Sequence, residues 1–350
     1  MVRETPLDAP APDAIATAVE SRLGRSVADV TPFEEGLNAV YRVDRGGGGD
    51  PVVVKTATFA TDEELLTEAE VLDRVATESD VPVPAVFAAL EPDDWPGETA
   101  AFVMSHCDGR EVTDGLALSR GARERLVTES GRHLAAVHEV RLVEGFGPLG
   151  RSDGGLTLRH EYESWPAWFD ELASDAVRGL RGEGFTTDDE CRFSDLAPAI
   201  EHALGGAVFG PTGTVSPALA VGDYRLANLV LAADDGADPV VRAVVDLGCG
   251  PTADGLLDLA LAEDALIDVP LGGTGQAERL RDRFRSAYIA ESGVDRDELR
   301  SDRYTRYRVY ARTRHMAAFG YWAQFARESD PDAVASRWRS FVTDRTGELG

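Results

Sequence analysis

Lysine is almost absent from this sequence. Among its 350 residues Lys55 is the only lysine, although lysine and arginine together number 35. Aspartate and glutamate number 62, and the formal net charge is −27. Nucleic-acid binding is disfavoured, because neutralising phosphates requires a basic face. Strong acidity with little lysine indicates adaptation to high cytoplasmic salt, which screens self-repulsion. The alternative is that the carboxylates attract a cationic ligand.

Cysteines are also few, and long apolar runs are missing. The three cysteines, Cys107, Cys191 and Cys249, are scattered and lack the spacing of metal ligands. They indicate reduced thiols in a cytoplasmic protein rather than disulfides or a zinc site. The N-terminal segment has no apolar core typical of a signal peptide. No window approaches the roughly 18–20 apolar residues of a membrane span, so no membrane partner is expected.

Apolar residues make up 43% of the chain, which is enough for a core, and 350 residues suit two lobes. The first hundred residues alternate extended runs with helical patterns. They predict strands at 39–43, 51–55, 85–90 and 100–105, and helices at 14–23 and 61–78. The remainder is mainly helical around one β-like stretch at 218–247, with helices predicted at 121–140, 165–180, 278–291, 303–328 and 332–346. The pattern predicts an α+β, bilobal fold: a small β-rich lobe, residues 1–104, and a larger, mainly helical lobe, residues 105–350.

The strongest chemical pattern is an aspartate followed, five positions on, by an asparagine. Asp223 and Asn228 have this spacing, and Asp246 ends an apolar strand shortly after them. In phosphoryl transfer a carboxylate orients the acceptor hydroxyl and accepts its proton, while an asparagine and an aspartate hold Mg²⁺. The spacing predicts Asp223 as the catalytic base and Asn228 with Asp246 as metal ligands. The alternative is an ordinary surface hairpin with solvated carboxylates.

Lys55 ends a valine-rich strand, residues 52–55, as the ATP-binding lysine of kinases does. An ammonium on a rigid strand can reach the α and β phosphates of ATP, and a helix carboxylate can fix its position. Glu68 is the best-placed carboxylate, with Glu64 and Glu70 as alternatives. A surface lysine is a poor explanation, because arginine replaces lysine everywhere else in the chain.

Together these motifs resemble the aminoglycoside phosphotransferase family, which includes relatives of choline and homoserine kinases. The resemblance runs from about residue 33 to residue 265. Six segments carry it: Gly36 and Asn38 before Tyr-Arg-Val; the strand of Lys55; Glu-Ala-x-Val-Leu at 68–72; the helix end at 134–138; Gly-Asp with the later Asn at 222–228; and Asp-Leu-Ala at 258–260.

The resemblance implies a protein-kinase-like fold, with ATP and Mg²⁺ as cofactors. It also implies transfer of the γ-phosphate to a hydroxyl of an aminoglycoside-, choline- or sugar-like small molecule. Gly36 and Asn38 are expected beside the nucleotide, and Met104 with His106 at the hinge next to adenine. Val221 replaces the histidine that the family places before Gly-Asp. A non-catalytic, regulatory pseudokinase that binds nucleotide is therefore the alternative.

Three further residues have two interpretations each. His138 is either a functional residue or a histidine packed beneath the catalytic loop. Asp258 either supports that loop or caps its own helix. Arg225 meets either a phosphate or an acidic neighbour. The acceptor is expected between the catalytic loop and a helical region at 156–204, and its identity is left open.

Overall fold

A five-stranded antiparallel sheet forms the N-terminal part of the fold. The computed structural model describes residues 7–34, 37–183, 191–205, 215–248 and 250–349. The strands are β1 (Val27–Pro32), β2 (Val40–Arg45), β3 (Val52–Thr56), β4 (Val86–Leu90) and β5 (Ala101–Ser105). Their order across the sheet is β1-β2-β3-β5-β4. Every residue of the central strand β3 is buried, which explains its run of valines.

Two helices cover the opposite faces of this sheet, α1 (Pro12–Leu23) and α2 (Asp62–Glu78). Val52 and Val54 belong to the core that contains α1, whereas Val53 belongs to the core that contains α2. Side chains alternate along a strand, so Lys55 projects from the same face as Val53. The strand thus directs the single lysine toward α2.

The C-terminal part is mainly helical. Its helices are α3 (Arg120–Glu139), α4 (Trp165–Leu180), α5 (Ala197–Leu204), α6 (Gly255–Glu263), α7 (Val269–Leu271), α8 (Gly275–Ser292), α9 (Asp302–Ala317), α10 (Phe319–Trp322) and α11 (Pro331–Leu349). A π-helical segment, Asp264–Asp268, joins α6 to α7. The α+β class with a β-rich N-terminal region and a helical C-terminal part is confirmed. Among the described helices none has both the length and the apolar character needed to cross a membrane.

Two small sheets lie among these helices. The first contains β6 (Arg110–Glu111), β10 (Leu229–Leu231) and β11 (Val241–Val244), in the order β11-β10-β6. The second contains β7 (Gly147–Ser152), β8 (Gly155–Leu158), β9 (Ala218–Leu219) and β12 (Pro251–Ala253), in the order β8-β7-β12-β9. The β10–β11 hairpin was predicted from the β-like stretch at 218–247, and it follows the candidate catalytic loop directly.

Some elements differ from the sequence prediction. The edge strand β1 was not predicted, because most of its residues are exposed and it lacks an apolar alternation. The β7–β8 hairpin was also missed, so the region at 156–204 begins as a strand and not as a helix. Glycines conceal this hairpin: Gly147 and Gly155 adopt positive φ angles of 151° and 103°, which weakens any strand pattern.

The helix predicted at 303–328 ends at Ala317. Ala318 has φ −105° and ψ 37°, and the short helix α10 and a 3₁₀ turn, Ala323–Phe325, follow it. Phe319 packs edge-on against Phe193 and Trp338, each with ring centroids 5.3 Å away. The change of direction carries the next aromatic residues toward the catalytic loop.

Helices α3 and α8 pack closely at Gly131. A Cβ atom at this position would lie 2.4 Å from the carbonyl oxygen of Phe284 and 3.1 Å from the Cβ of Ala287. A backbone oxygen cannot move without shifting its helix. The absence of a side chain at Gly131 therefore determines how closely the two helices approach.

Gly131→Ala is expected to destabilise the protein by about 1–3 kcal/mol, because the added methyl group overpacks the contact with α8. Urea unfolding in molar KCl measures this change. Gly121→Ala, in the same helix, is the matched control, since the atom nearest to an added Cβ there is Arg125 Nη1 at 3.6 Å. It should be neutral or stabilising by up to about 1 kcal/mol. Equal stability of the Gly131 variant and the parent would contradict the close packing.

Candidate active site

Lys55 is buried and forms ion pairs with two carboxylates, the buried Glu68 and the half-exposed Asp246. Its Nζ donates to Glu68 Oε1 at 2.7 Å and Oε2 at 2.8 Å, and to Asp246 Oδ1 at 2.7 Å. Lys55 is 7% exposed and Glu68 is 5% exposed. Strand β3, helix α2 and the segment after β11 each supply one member. The structure thus brings together three residues that the sequence analysis had selected.

The charges of this cluster support one another. Burial alone lowers the pKa of Lys55, but Glu68 and Asp246 outweigh it and hold that pKa above its ordinary value. Burial raises the pKa of Glu68 to about 7, against the opposing charge of Lys55. The charge of Lys55 holds the pKa of Asp246 below its usual range. The lysine therefore remains an ammonium, as phosphate binding requires.

The two alternative partners of Lys55 are held elsewhere. Glu64 belongs to the capping box that starts α2, where it accepts from Thr61 N at 3.0 Å. Arg159 Nη1 also donates to Glu64 at 3.0 Å. Glu70 accepts from Leu156 N at 3.1 Å. Of the three glutamates, Glu68 is the one in contact with the lysine.

Asp223 and Asn228 meet in the loop before β10. Asn228 Nδ2 donates to the Asp223 carbonyl oxygen at 2.9 Å and to Asp223 Oδ2 at 3.2 Å. The β10–β11 hairpin then brings the chain back, with Val245 N donating to the Asn228 carbonyl oxygen at 2.9 Å. Asp246 follows directly, in a left-handed conformation with φ 57°. The hairpin thus positions Asn228 close to Asp246.

The carboxylate of Asp223 is half exposed, with 50% of its side-chain surface open to solvent. Surrounding protein nevertheless removes enough water to raise its pKa above the ordinary aspartate value, while the charge of Arg225 opposes that rise. A carboxylate that is accessible and more basic than usual is suited to accept a proton from a hydroxyl group.

Arg225 donates to the same carboxylate oxygen of Asp223 as Asn228 does. Its Nε donates to Asp223 Oδ2 at 2.8 Å, and its Nη1 donates to the hydroxyl of Tyr321. The guanidinium lies 5.4 Å from the ring centre of Tyr321 and 5.8 Å from that of Trp322. Of its two predicted partners, the structure shows the acidic neighbour.

Tyr321 and Trp322 were not predicted as neighbours of the catalytic loop, because the sequence pattern favoured one continuous helix at 303–328. Nearly a hundred residues separate Tyr321 from Arg225. The aromatic run Phe319, Tyr321, Trp322 and Phe325 was the available signal, since such a concentration is unusual in a solvent-exposed helix.

Asp258 supports the catalytic loop through its backbone. Its two oxygens accept from Val221 N and Gly222 N, each at 2.8 Å. His138 Nε2 lies 3.1 Å from Asp258 Oδ2, and the other ring nitrogen lies 2.9 Å from the hydroxyl of Tyr288. The N-cap of α6 is Asp254, so Asp258 has the supporting role and not the capping role. His138 is packed beneath the loop, as the structural interpretation expected.

Asn38 lies at the turn that leads into α2. Its Oδ1 accepts from Phe59 N and Ala60 N, both at 2.9 Å. This side chain therefore orders the connection between Lys55 and the helix that carries Glu68. Gly36, the other residue predicted in this loop, lies outside the described residues. A nucleotide contact for either residue stays a prediction.

Met104 and His106 lie at the end of β5 and just beyond it. The main chain of Met104 pairs with Val53 on one side and Val86 on the other. His106 Nε2 lies 2.9 Å from Arg42 Nη1. Met104 can therefore only pack beside an adenine, and hinge hydrogen bonds would come from residues after β5. Their predicted contact with ATP stays a prediction.

A protein-only metal site is absent from the described part of the chain, where no group of three or more His, Cys, Asp or Glu could hold an ion. The predicted pair, Asn228 and Asp246, provides one amide and one carboxylate. Mg²⁺ prefers such oxygen ligands and usually takes one or two carboxylates together with substrate phosphates and water. The pair therefore fits a metal site that a nucleotide would complete.

Residues 29–301 match the sequence profile described as the phosphotransferase enzyme family. The chain belongs to this family. That match covers the sheet, the lysine cluster and the catalytic loop. No curated protein sequence matches the chain.

Solved structures of the family share the fold at low sequence identity. A putative aminoglycoside phosphotransferase from Ralstonia eutropha is 15% identical, with a TM-score of 0.66 and coverage of 97% of this chain and 98% of the other. A putative fructosamine-3-kinase from Thermobifida fusca is 22% identical, with a TM-score of 0.57 and coverage of 97% and 99%. A thermostable mutant of aminoglycoside phosphotransferase APH(4)-Ia, in a ternary complex with ADP and hygromycin B, is 16% identical, with a TM-score of 0.63 and coverage of 95% and 99%. These similarities confirm the bilobal kinase-like fold.

Asp258→Asn should destabilise the protein by about 1–3 kcal/mol, because the amide group leaves one buried backbone N–H without an acceptor. Denaturant unfolding measures the loss, and faster amide exchange at Gly222 should locate it in the catalytic loop. Asp73→Asn, on the exposed face of α2, is the control and should change stability by no more than about 0.5 kcal/mol. Unchanged exchange at Gly222 would show that Asp258 does not support the loop.

Proposed function

We propose that this protein is an ATP- and Mg²⁺-dependent kinase that transfers the γ-phosphate to a hydroxyl of a small molecule. The contact of Lys55 Nζ with both Glu68 and Asp246 carries this proposal. Asp246 lies 191 residues from Lys55 along the chain, and a purely structural lysine would need only one carboxylate to balance its charge. The family match supports a phosphotransferase at this general level.

Each residue has one role in the proposed reaction. Lys55 binds the α and β phosphates, and Glu68 keeps its ammonium in place through both carboxylate oxygens. Asn228 and Asp246 hold Mg²⁺, which when bound neutralises charge on the phosphates. Asp223 orients the acceptor hydroxyl and accepts its proton during transfer.

The surroundings of Asp223 contain one cation and two aromatic side chains. Arg225 Nε lies 2.8 Å from Asp223 Oδ2, and Tyr321 and Trp322 lie beside the guanidinium. Solved relatives bind hygromycin B or kanamycin, and others are named fructosamine kinases. Because Arg225 balances the charge of Asp223, this pair offers a polycationic aminoglycoside no net negative charge, whereas a neutral hydroxyl compound needs none. Sugars and other neutral alcohols are therefore the first acceptors to screen for ADP release.

The alternative is a non-catalytic nucleotide-binding protein with a regulatory role. Val221, in place of the histidine usual in the family, is the observation that favours it. Thermal shifts with ATP, with and without Mg²⁺, together with the acceptor screen, separate the two functions. Stabilisation by ATP that does not depend on Mg²⁺, without ADP release from any acceptor, would favour the regulatory protein.

Asp223→Asn should lower the rate of phosphoryl transfer by about 10²–10⁴-fold, because the amide cannot accept the hydroxyl proton. Nucleotide binding should persist, since Lys55 and Glu68 are unchanged. ADP release and the Mg²⁺-dependent thermal shift by ATP measure the two properties. Asp73→Asn serves again as the control for loss of one negative charge. Parent-like turnover of the Asp223 variant in molar KCl would remove Asp223 from the mechanism.

The rate should fall as the pH drops through the pKa of Asp223, because the base works only when it is deprotonated. Because the pKa of Asp223 is raised, this fall in rate should occur at a higher pH than for an ordinary aspartate. Arg225→Gln removes a charge that lowers this pKa, so the acidic limb should move to higher pH. Profiles of kcat/KM against pH test the shift, with Arg242→Gln on β11 as the control. A shift to lower pH would contradict the assignment.

A further inference from the structure

Four arginines converge on a cleft in the C-terminal part of the protein. The cleft has a volume of about 410 Å³ and lies among α8, α9, α11 and the turn after α7. Its arginines are Arg281, Arg312, Arg337 and Arg345. None of its lining residues belongs to the proposed catalytic set. In a chain with a net charge of −27, a cleft lined by this many cations needs a specific explanation.

Three of these arginines have carboxylate partners. The pairs are Arg281 with Asp268, Arg312 with Asp264 at 2.7 Å, and Arg337 with Glu328 at 2.9 Å. Asp268 is also shared with Arg308, and Asp264 with His315. These carboxylates are therefore already engaged by more than one donor, apart from Glu328. They leave little capacity for a fourth arginine.

Arg345 is that fourth arginine. Its Nη1 donates to the Phe341 carbonyl oxygen at 3.2 Å, and its guanidinium lies 3.7 Å from the centre of the Phe341 ring. Within the described residues no carboxylate forms an ion pair with it, although Asp268 and Asp344 also line the cleft. Burial and the charge of Arg308 lower the pKa of Arg345 to about 10, against the opposing charges of Asp268 and Glu348. The positive charge of Arg345 is therefore not balanced by a carboxylate paired with it.

Arg312 provides an independent sign of an unfilled site. Its side chain is 1% exposed, yet its Nε and Nη1 have no hydrogen-bond partner. Arg337 Nε also lacks a partner, while its Nη atoms donate to the Asp268 and Val269 carbonyl oxygens and to Glu328. The guanidinium of Arg312 lies against the rings of Trp338 and Phe341, at 4.5 and 4.9 Å. Buried N–H groups of a charged side chain normally find an acceptor, because leaving them unsatisfied is costly.

We propose that this arginine cleft binds the oxyanion group of a small molecule, either a phosphate or a carboxylate. Guanidinium groups bind both through paired, charge-assisted hydrogen bonds. The oxygens would accept from Arg312 and Arg337 and would compensate the charge of Arg345. The volume exceeds what a single ion fills, so the group belongs to a larger molecule. The site is separate from the proposed phosphoryl transfer and does not depend on it.

The test measures thermal unfolding of the full chain while potassium phosphate or potassium acetate replaces KCl at constant ionic strength. Phosphate should raise the melting temperature of the parent if the site takes phosphate groups, and acetate should do so if it takes carboxylates. Arg345→Gln should weaken binding of the effective anion by about tenfold or more, since it removes a charged donor. Without that anion the Arg345 variant should be no less stable than the parent, because the guanidinium that it loses has no carboxylate paired with it.

Arg279→Gln is the matched control, because Arg279 lies on α8 but on its exposed side. Phosphate also stabilises proteins by exclusion from their surfaces, and this general effect should be the same in all variants. An equal response of the parent and both variants would overturn the proposal, and so would no response to either anion. A loss of stability in Arg345→Gln with an unchanged anion response would assign Arg345 to stacking on Phe341 alone.

Discussion

The ammonium of Lys55 joins three separate elements of the protein, one of them 191 residues away along the chain. It links the central strand of the sheet, the helix α2 and the segment after the catalytic hairpin through contacts of 2.7–2.8 Å. A buried charge is tolerated only when it is paired, and removing one partner of such a pair costs about 3–5 kcal/mol. The geometry of the cleft therefore depends on this cluster. It also explains why one lysine persists in a sequence that otherwise uses arginine.

Asp258 supports the catalytic loop separately from the lysine cluster. Asp258 accepts from two consecutive backbone amides, and Gly222 adopts a φ of 75° that favours glycine at this position. Val221 replaces a histidine of the family, yet its backbone N–H remains bound to Asp258. Loop geometry here is held by main-chain hydrogen bonds, so the loss of that one side chain leaves the Asp223–Asn228 arrangement intact.

Local patterns predicted the parts of the fold and site that lie on regular elements. Lys55 was predicted from its place at the end of a valine strand, and Glu68 from its place on a helix thirteen residues later. Asn228 and Asp246 were predicted from their places beside a hairpin. Each of these contacts is fixed by the period of a strand or helix or by a short turn. The fold and the family are confirmed by the comparisons, while the individual roles stay proposals.

The parts that escaped prediction depend on tertiary contacts. Nothing local to Arg225 indicates Tyr321, because the contact exists only after the chain breaks its helix at Ala318. The edge strand β1 is mostly exposed, and glycines obscure the β7–β8 hairpin, so neither has the apolar alternation that marks a strand. Asn38 has a hydrogen-bonding role at the start of α2 that a motif match alone does not reveal.

The break at Ala318 has a consequence for how acceptor preference can change in evolution. It brings Tyr321 and Trp322 beside Arg225, which contacts the proposed base Asp223, whereas Lys55 and Glu68 come from β3 and α2. In the proposed reaction, substitutions in this late segment would change the surroundings of the base without altering the strand and helix that carry the lysine and its glutamate. Acceptor preference could therefore change in a part of the gene that encodes neither β3 nor α2.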